Sequence, residues 1–213
     1  MEIEAKFTVV DASTFERLLE VPTLAGMQAG PASRKRVHDR YLDTADRRFM
    51  RNGFACRVRD KGDGWLATLK GLGAGEGALH RRTELEAILP AGELNVQNWP
   101  PGEAREVALR LSAGQPLELV FEMWQERNVR LLRSQSGEDP VIELSLDVVH
   151  RDREDTVPWF ELEGELLPAG SVQQLEALMQ TLAGSWGLVP ESRSKYERGL
   201  PAADAALLAQ LRA

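Results

Sequence analysis

The sequence has little cysteine and no long hydrophobic run. Its single cysteine, Cys56, excludes an intrachain disulfide framework and a zinc site built from several cysteines, and it favours a reducing compartment. No stretch of about 18 apolar residues is present, as a membrane-spanning helix would need. The N-terminus also lacks the basic and then apolar segment of a signal peptide. We therefore expect a cytoplasmic protein that does not bind a membrane.

The sequence also has no excess of positive charge. Its 213 residues include 26 Lys+Arg against 33 Asp+Glu, which gives a formal net charge of −7. A general nucleic-acid-binding domain is normally basic. We therefore expect no nucleic-acid partner, and any polyanion site must be a local basic cluster. Hydrophobic residues make up 43% of the chain, which is enough to bury a core and excludes wholesale disorder.

Hydrophobic alternation with a period of two residues dominates the first two thirds of the chain and predicts a strand-rich α+β domain. Gly62-Asp63-Gly64 predicts a tight hairpin turn, and residues 71–79 predict a longer flexible loop. The predicted strands are 2–10, 37–44, 53–60, 65–70, 81–89, 118–132, 141–149 and 158–167.

Capping signals and helical periodicity predict four helices. Ser13 and Ser171 each stand three residues before a Glu or Gln, which is the spacing of a capping box. A weaker helix is predicted over 103–111. Pro201 suits the start of a further helix over 202–212.

The polar faces of the predicted strands carry unusually many charges. Side chains alternate along a strand, so Glu2, Glu4 and Lys6 share one face of the first strand. Later strands present the following residues on one face: Arg57 and Arg59; Thr68 and Lys70; Arg82, Glu84 and Glu86; Arg127; Glu143, Ser145 and Asp147; Trp159, Glu161, Glu163 and Glu165.

These charged faces have two interpretations. They are either solvated outer faces with weak cross-strand ion pairs, or the inner faces of a wide barrel with a charged interior. Carboxylates in E-x-E pairs are hard oxygen ligands for Mg²⁺ or Mn²⁺, and Arg and Lys donate to phosphate oxygens. The second interpretation therefore predicts a site for a metal and a phosphate compound.

Nine short motifs follow one another along the chain. They are Glu2-x-Glu4-x-Lys6, Arg40-Tyr41-Leu42-Asp43-Thr44, Arg57-x-Arg59, Trp65-x-x-Thr68-Leu69-Lys70-Gly71, Glu84-x-Glu86, Arg127, Glu143 with Asp147, Glu161-x-Glu163, and Ser194-Lys195-Tyr196-Glu197-Arg198-Gly199. In order and spacing they resemble the CYTH domains, also called triphosphate tunnel metalloenzymes. The resemblance covers residues 1–200, and it leaves 201–213 as a C-terminal helix or the start of a following domain.

The resemblance implies an α+β fold in which an eight-stranded antiparallel β-barrel forms a tunnel, with a charged lumen and helices packed outside. It also implies a divalent metal, Mg²⁺ or Mn²⁺. The metal ligands that it implies are Glu2, Glu4, Glu161 and Glu163, with Asp147 as an outer ligand. The phosphate-binding residues that it implies are Lys6, Arg57, Arg59, Lys70, Arg127 and Lys195.

Glu4 and Lys70 are the catalytic residues that we expect. Lys70 either stabilises and protonates the leaving oxygen or makes a plain phosphate contact, and the two roles carry equal weight. Glu84 and Glu86 either bind metal or hold the basic side chains in position, and the second role is favoured because a basic lumen needs counter-charges. Glu143 is expected to support the site in the same way.

Members of this family hydrolyse inorganic triphosphate or thiamine triphosphate, act as adenylate cyclases, or remove the terminal phosphate of RNA or nucleotides. Leu79-His80-Arg81-Arg82 and the ending at 194–200 resemble bacterial members that act on inorganic triphosphate, often followed by a helical CHAD domain. We therefore expect a metal-dependent triphosphatase that hydrolyses the terminal phosphate of a small-molecule substrate, inorganic triphosphate. The alternatives are a class IV-like adenylate cyclase, a thiamine or nucleoside triphosphatase, and a non-catalytic polyphosphate-binding module. A homodimer and a following CHAD domain are left open.

Several conspicuous residues are expected to be structural. The histidines lack the mutual spacing of a zinc site or a catalytic triad, and His80 is expected in a loop. Cys56 faces away from the neighbouring arginines and is expected in the core. Tyr41 and Asp43 are expected to be scaffold residues.

Overall fold

The computed structural model describes residues 2–73, 77–135, 137–151 and 157–213. Its main element is an antiparallel sheet that curls into a barrel. The strands are β1 (Glu2–Val9), β2 (Thr23–Leu24), β3 (Met27–Ala29), β4 (Ser33–Asp43), β5 (Phe54–Asp60), β6 (Trp65–Gly71), β7 (Leu79–Arg82), β8 (Glu84–Leu89), β9 (Glu118–Arg133), β10 (Pro140–His150), β11 (Trp159–Leu166) and β12 (Val189–Pro190).

Nine of these strands form the nearly closed barrel. Their order is β1-β11-β10-β9-β4-β5-β6-β8, and β7 pairs back with β1 to complete the ring. The predicted strand 81–89 is therefore two strands, because its two halves pair with different partners on either side of Thr83. The backbone oxygen of Thr83 accepts a hydrogen bond from the Gly71 nitrogen at 2.9 Å. The barrel predicted from the sequence is confirmed, with nine strands in place of eight.

The remaining strand boundaries differ from the prediction in small ways. β4 begins four residues before the predicted start at residue 37, where the charged run at 33–36 hides the alternation but pairs with β9. The short strands β2, β3 and β12 were not predicted. Of the predicted flexible loop 71–79, residues 74–76 lie outside the described residues. The hairpin turn is confirmed, with Gly62 at φ +81°.

Six α-helices and one 3-10 helix, at residues 96–98, are described. The capping box at Ser171 is confirmed, but the one at Ser13 is wrong. Asp11 caps that helix instead, because its Oδ1 accepts from the Thr14 nitrogen at 2.7 Å and places Ser13 inside the first turn. The α-helices are α1 (Ala12–Glu20), α2 (Arg48–Arg51), α3 (Glu103–Ser112), α4 (Val172–Gly184), α5 (Lys195–Gly199) and α6 (Ala202–Leu211).

The apolar faces of the barrel strands point outward, where helices cover them. Phe7 and Leu162 pack with Leu178 of α4 in one cluster, and Cys56 and Trp99 belong to another. Each fully buried side chain of this size stabilises the fold by roughly 1.5–3 kcal/mol. Because these clusters lie outside the barrel, its interior is free to be polar. No helix in the described part of the chain is long and apolar enough to cross a membrane.

One end of the barrel is closed by a third apolar cluster. Tyr41 and Phe121 of the barrel stack at 4.6 Å between ring centroids, and Tyr196 of α5 packs against both. Leu208 of α6 joins the same cluster. The helices α5 and α6 therefore form the floor of the barrel.

Two expectations about structural residues have clear outcomes. Asp43 is a scaffold residue, because its carboxylate accepts from the backbone nitrogens of Thr44, Phe49 and Met50 and so anchors α2. His80 does not lie in a loop, which corrects the prediction. It is a buried residue of β7 whose Nε2 lies 2.9 Å from the backbone oxygen of Glu191.

Candidate functional site

The charged faces of the strands enclose a cavity of about 350 Å³. At its mouth lie the exposed side chains of Lys35, Lys61 and Asp63, whereas Tyr196 at the floor is buried. The predicted site residues that line the cavity are Glu2, Glu4, Lys6, Arg57, Arg59, Lys70, Glu84, Glu86, Arg127, Glu143, Glu163 and Lys195.

Lys195 lies at the centre of a cluster of ion pairs at the deep end of the cavity. Its Nζ lies 2.9 Å from Asp147, 2.7 Å from Glu161 and 2.8 Å from Glu163. Burial alone would lower the pKa of Lys195, but the three carboxylates outweigh burial and raise it. Lys195 is therefore charged at neutral pH, and a capping box between Ser194 and Glu197 places it at the start of α5.

Two further bases meet the same carboxylates from the barrel wall. Lys6 Nζ lies 2.7 Å from Glu163, and Arg127 donates to both oxygens of Asp147 at 2.9 and 2.7 Å and to Glu163 at 2.6 Å. Asp147 and Glu161 are fully buried behind these bases and do not line the cavity. Of the predicted metal ligands, only Glu2, Glu4 and Glu163 are therefore on the cavity wall.

A second charged cluster lies around Lys70, where β1, β6, β7 and β8 meet. Lys70 Nζ is 2.7 Å from Glu2, 4.0 Å from Glu4 and 3.9 Å from Glu84. Arg82 of β7 forms an ion pair with Glu4 in this cluster. The sequence placed Arg82 on the charged face, but it was not among the predicted site residues.

Carboxylates outnumber bases in this part of the wall. Burial, together with the nearby negative charges of Glu2, Glu143 and Glu84, raises the pKa of Glu165 to about 7. This surplus of hard oxygen donors fits a divalent cation. Within the described ranges, no three His, Cys, Asp or Glu side chains converge as the ligands of a bound ion would. Glu2 is paired with Lys70 and Glu4 with Arg82 instead.

Arg57 and Arg59 form a third cluster on β5 with a residue that the sequence analysis missed. Arg59 donates to both oxygens of Asp39, at 2.6 and 2.7 Å, and Gln125 donates to the same carboxylate at 2.6 Å. Arg57 Nη1 lies 3.8 Å from Asp39, and its Nη2 donates to Thr68 at 3.2 Å. Asp39 and Gln125 themselves do not line the cavity.

Arg198 lies just behind the deep end. It donates to Glu161 at 3.0 Å, and its guanidinium lies 4.6 Å from the ring centroid of Trp159. The only signal for it in the sequence was its place in the ending at 194–199. Arg198 neutralises the oxygen of Glu161 that faces away from Lys195, so both oxygens of this buried carboxylate are engaged.

Gly199 sets how closely α5 approaches the barrel. A Cβ atom at this position would lie 2.3 Å from both Met123 Cε and Phe121 Cε2. We expect Gly199→Ala to push α5 outward and to lower the free energy of unfolding by about 1–3 kcal/mol. Urea denaturation should measure this loss. Gly184→Ala is the matched control, since a Cβ there meets nothing within 4 Å. Equal stability of the two variants would show that α5 is not packed tightly.

The lumen of this barrel brings surplus carboxylates together with many bases. The family model of the CYTH domain matches residues 1–200, and the chain belongs to that family. No curated protein sequence matches the chain.

Solved structures with the same fold include three with low sequence identity. A candidate adenylate cyclase from Bacillus halodurans is 22% identical with a TM-score of 0.63, over 93% of this chain and 96% of that one. A candidate adenylyl cyclase from Hippeastrum, described as having a dominant triphosphatase activity, is 15% identical with a TM-score of 0.62, over 93% and 95%. A protein from Pyrococcus horikoshii is 20% identical with a TM-score of 0.56, over 92% and 96%.

Proposed function

We propose that the chain hydrolyses the terminal phosphate of inorganic triphosphate with the help of a divalent metal, Mg²⁺ or Mn²⁺. The observation that carries the proposal is the charge pattern of one cavity. Surplus carboxylates around Glu2 and Glu165 lie beside bases such as Lys70 and Lys6. A metal with a polyphosphate is the ligand whose charges complement both sets. Membership of the CYTH family supports triphosphate hydrolysis in general.

The cavity lining favours a substrate without an organic group. Among the described lining residues, the only aromatic side chains are Tyr41 and Tyr196, both buried at the floor. An adenine or thiamine ring is often held by stacking on an accessible aromatic side chain, and the described lining offers none. This supports inorganic triphosphate over the nucleotide, thiamine and cyclase alternatives.

Residues on the cavity wall divide into two roles in this proposal. Glu2, Glu4 and Glu163 would hold the metal, which when bound neutralises phosphate charge and lowers the pKa of a bound water. Lys6, Lys70, Arg57, Arg59, Arg127 and Lys195 would bind the phosphate oxygens. Electrostatic positioning of this kind is most of what phosphoryl transfer requires of a protein.

The supporting residues of the proposal lie beside or behind these two sets. Asp147 and Glu161 would keep Lys195 and Arg127 oriented from behind. Glu84, Glu86 and Glu143 would act as counter-charges on the wall. Lys70 would stabilise the leaving oxygen, because its Nζ stands among Glu2, Glu4 and Glu84, where the metal and the phosphate chain would meet.

Phosphate release from tripolyphosphate, ATP and thiamine triphosphate tests the proposal directly. The three substrates are assayed in parallel with Mg²⁺, Mn²⁺ or EDTA. We expect metal-dependent release that is fastest from tripolyphosphate, and none in EDTA. Faster release from ATP or thiamine triphosphate would contradict the substrate that we propose. No release from any of them would favour cyclic AMP formation or binding without turnover.

A further inference from the structure

Among the described residues, the only carboxylate that forms an ion pair with Arg59 is one that does not line the cavity. Lys70 and Lys6 pair with Glu2 and Glu163, which line the cavity and would have to exchange partners to hold a metal. Arg59 pairs instead with Asp39, which is fully buried and does not line the cavity. Because Asp39 is shielded from any occupant of the cavity, its ion pair does not have to break when a ligand enters.

The geometry around Asp39 fixes the plane of one guanidinium. Arg59 Nε donates to Oδ1 at 2.6 Å and Arg59 Nη2 to Oδ2 at 2.7 Å, which is a parallel, bidentate contact. Gln125 Nε2 donates to Oδ2 at 2.6 Å from β9 and braces the carboxylate from the other side. Burial alone would raise the pKa of Asp39, but Arg59 and Arg57 outweigh it and hold the pKa well below its usual range. The carboxylate therefore stays ionised.

Not every hydrogen-bond donor of this cluster is used. Arg57 lines the cavity, and its Nε is buried without a hydrogen-bond partner among the described residues. Arg59 also lines the cavity, although only 8% of its surface is exposed. Both guanidinium groups therefore belong to cavity-lining residues, and the Asp39 carboxylate that contacts them lies behind the cavity wall.

We infer that Asp39, braced by Gln125, is a positioning residue that holds Arg59, and through its charge Arg57, in place to bind phosphate oxygens. The inference rests on the proposed function, because it takes a phosphate chain as the occupant of the cavity. Asp39 itself touches neither the substrate nor a metal in this role.

Two possible roles of Asp39 predict opposite effects of Asp39→Asn on affinity. If Asp39 is only a counter-charge, its removal makes the lumen more positive and tightens the binding of tripolyphosphate. If it positions the arginines, the amide offers a single acceptor oxygen, the bidentate contact opens and the binding weakens. The sign of the change therefore separates the two roles.

The experiment is calorimetric titration with tripolyphosphate in EDTA, together with KM and kcat in Mg²⁺. We expect Asp39→Asn to raise both the Kd and the KM about tenfold, with a smaller effect on kcat. Arg59→Lys keeps the charge but loses the bidentate contact, and should have a similar effect. The double variant should bind about as weakly as either single variant, because both changes break one interaction.

Asp43→Asn is the matched control. Asp43 is a buried carboxylate of the same strand that accepts three backbone hydrogen bonds at α2, away from the lumen. It should lose stability but keep the affinity for tripolyphosphate. If Asp39→Asn does not fold, Gln125→Ala removes only the brace and should weaken binding in the same direction.

The remaining outcomes overturn either the positioning role of Asp39 alone or the proposed function as well. Unchanged or tighter binding by Asp39→Asn, or by Gln125→Ala where only that variant folds, overturns the positioning role and leaves the proposed function intact. A loss of affinity in Asp43→Asn as large as that in Asp39→Asn also overturns it. Failure of the unmodified chain to bind tripolyphosphate, with or without Mg²⁺, overturns the proposed function and this role with it.

Discussion

Replacement of Glu4 with glutamine should reduce metal-dependent phosphate release from tripolyphosphate by about a hundredfold or more, the usual cost of losing one electrostatic group at a reacting centre. Glu4 lines the cavity, forms an ion pair with Arg82 and lies 4.0 Å from Lys70. Glutamine keeps the shape of the side chain but offers no negative charge to a divalent cation. Phosphate release in Mg²⁺ and Mn²⁺ measures the effect.

The thermal stability of Glu4→Gln should fall only moderately, although the Glu4 side chain is buried. Arg82 loses a buried charged partner, but glutamine keeps an oxygen that can accept a hydrogen bond from it, and one close ion pair is lost where Lys195→Met loses three. Glu122→Gln, on the outer face of β9 beside His38, is a control that should keep full activity. A large fall in the melting temperature of Glu4→Gln would instead indicate that Glu4 is a structural ion-pair residue.

The alternation of side chains predicted most of the cavity wall from the sequence. Glu2, Glu4 and Lys6 of β1 and Arg57 of β5 face the lumen because a strand turns every second residue to the same side. The charged face of each strand was visible without knowledge of its partners. The alternation alone left open whether these faces are solvated outer faces or the inner faces of a barrel, and the resemblance to the CYTH domains favoured the barrel.

Asp39 was missed because its neighbours on the same face of β4 are apolar. Val37 and Tyr41 flank it at the inward positions and resemble an ordinary core face. Arg59, which forms the ion pair with Asp39, lies on another strand. Gln125, which donates to the same carboxylate, is 86 residues away from Asp39 in sequence. Only the strand order, which joins β9, β4 and β5, brings the three together.

The depth of each charge in the cavity could not be predicted either. Glu161 and Glu163 belong to the same face of β11, but only Glu163 lines the cavity. The difference comes from α5, whose Lys195 covers Glu161 from the floor of the barrel. A helix of five residues has little stability of its own. Its place depends on tertiary contacts such as the fit of Gly199 against Phe121.

Replacement of Lys195 with methionine should lower the free energy of unfolding at neutral pH by about 3 kcal/mol, since removing one partner of a buried ion pair leaves uncompensated charge. Three buried or nearly buried carboxylates lie within 2.9 Å of its Nζ. Lys6 and Arg127 remain, but they do not replace its contacts with Asp147 and Glu161 together. Urea denaturation at pH 7 measures the loss, and Lys35→Met, at an exposed lysine of the mouth, should leave the stability nearly unchanged.

The pH dependence of that loss separates charge from packing. Burial raises the pKa of Asp147, but Arg127 and Lys195 outweigh burial and lower it, and the same balance with Lys195 and Lys6 lowers the pKa of Glu163. These carboxylates therefore stabilise the unmodified chain above their unfolded pKa of about 4, and that stability is lost as the pH falls through the lowered folded values. Without Lys195 their folded pKa values rise, so protonation relieves the repulsion in the variant at higher pH. The difference in stability between the two proteins should be largest near neutral pH and should shrink as the pH approaches 4. A difference that is constant across this range would mean that Lys195 acts through packing.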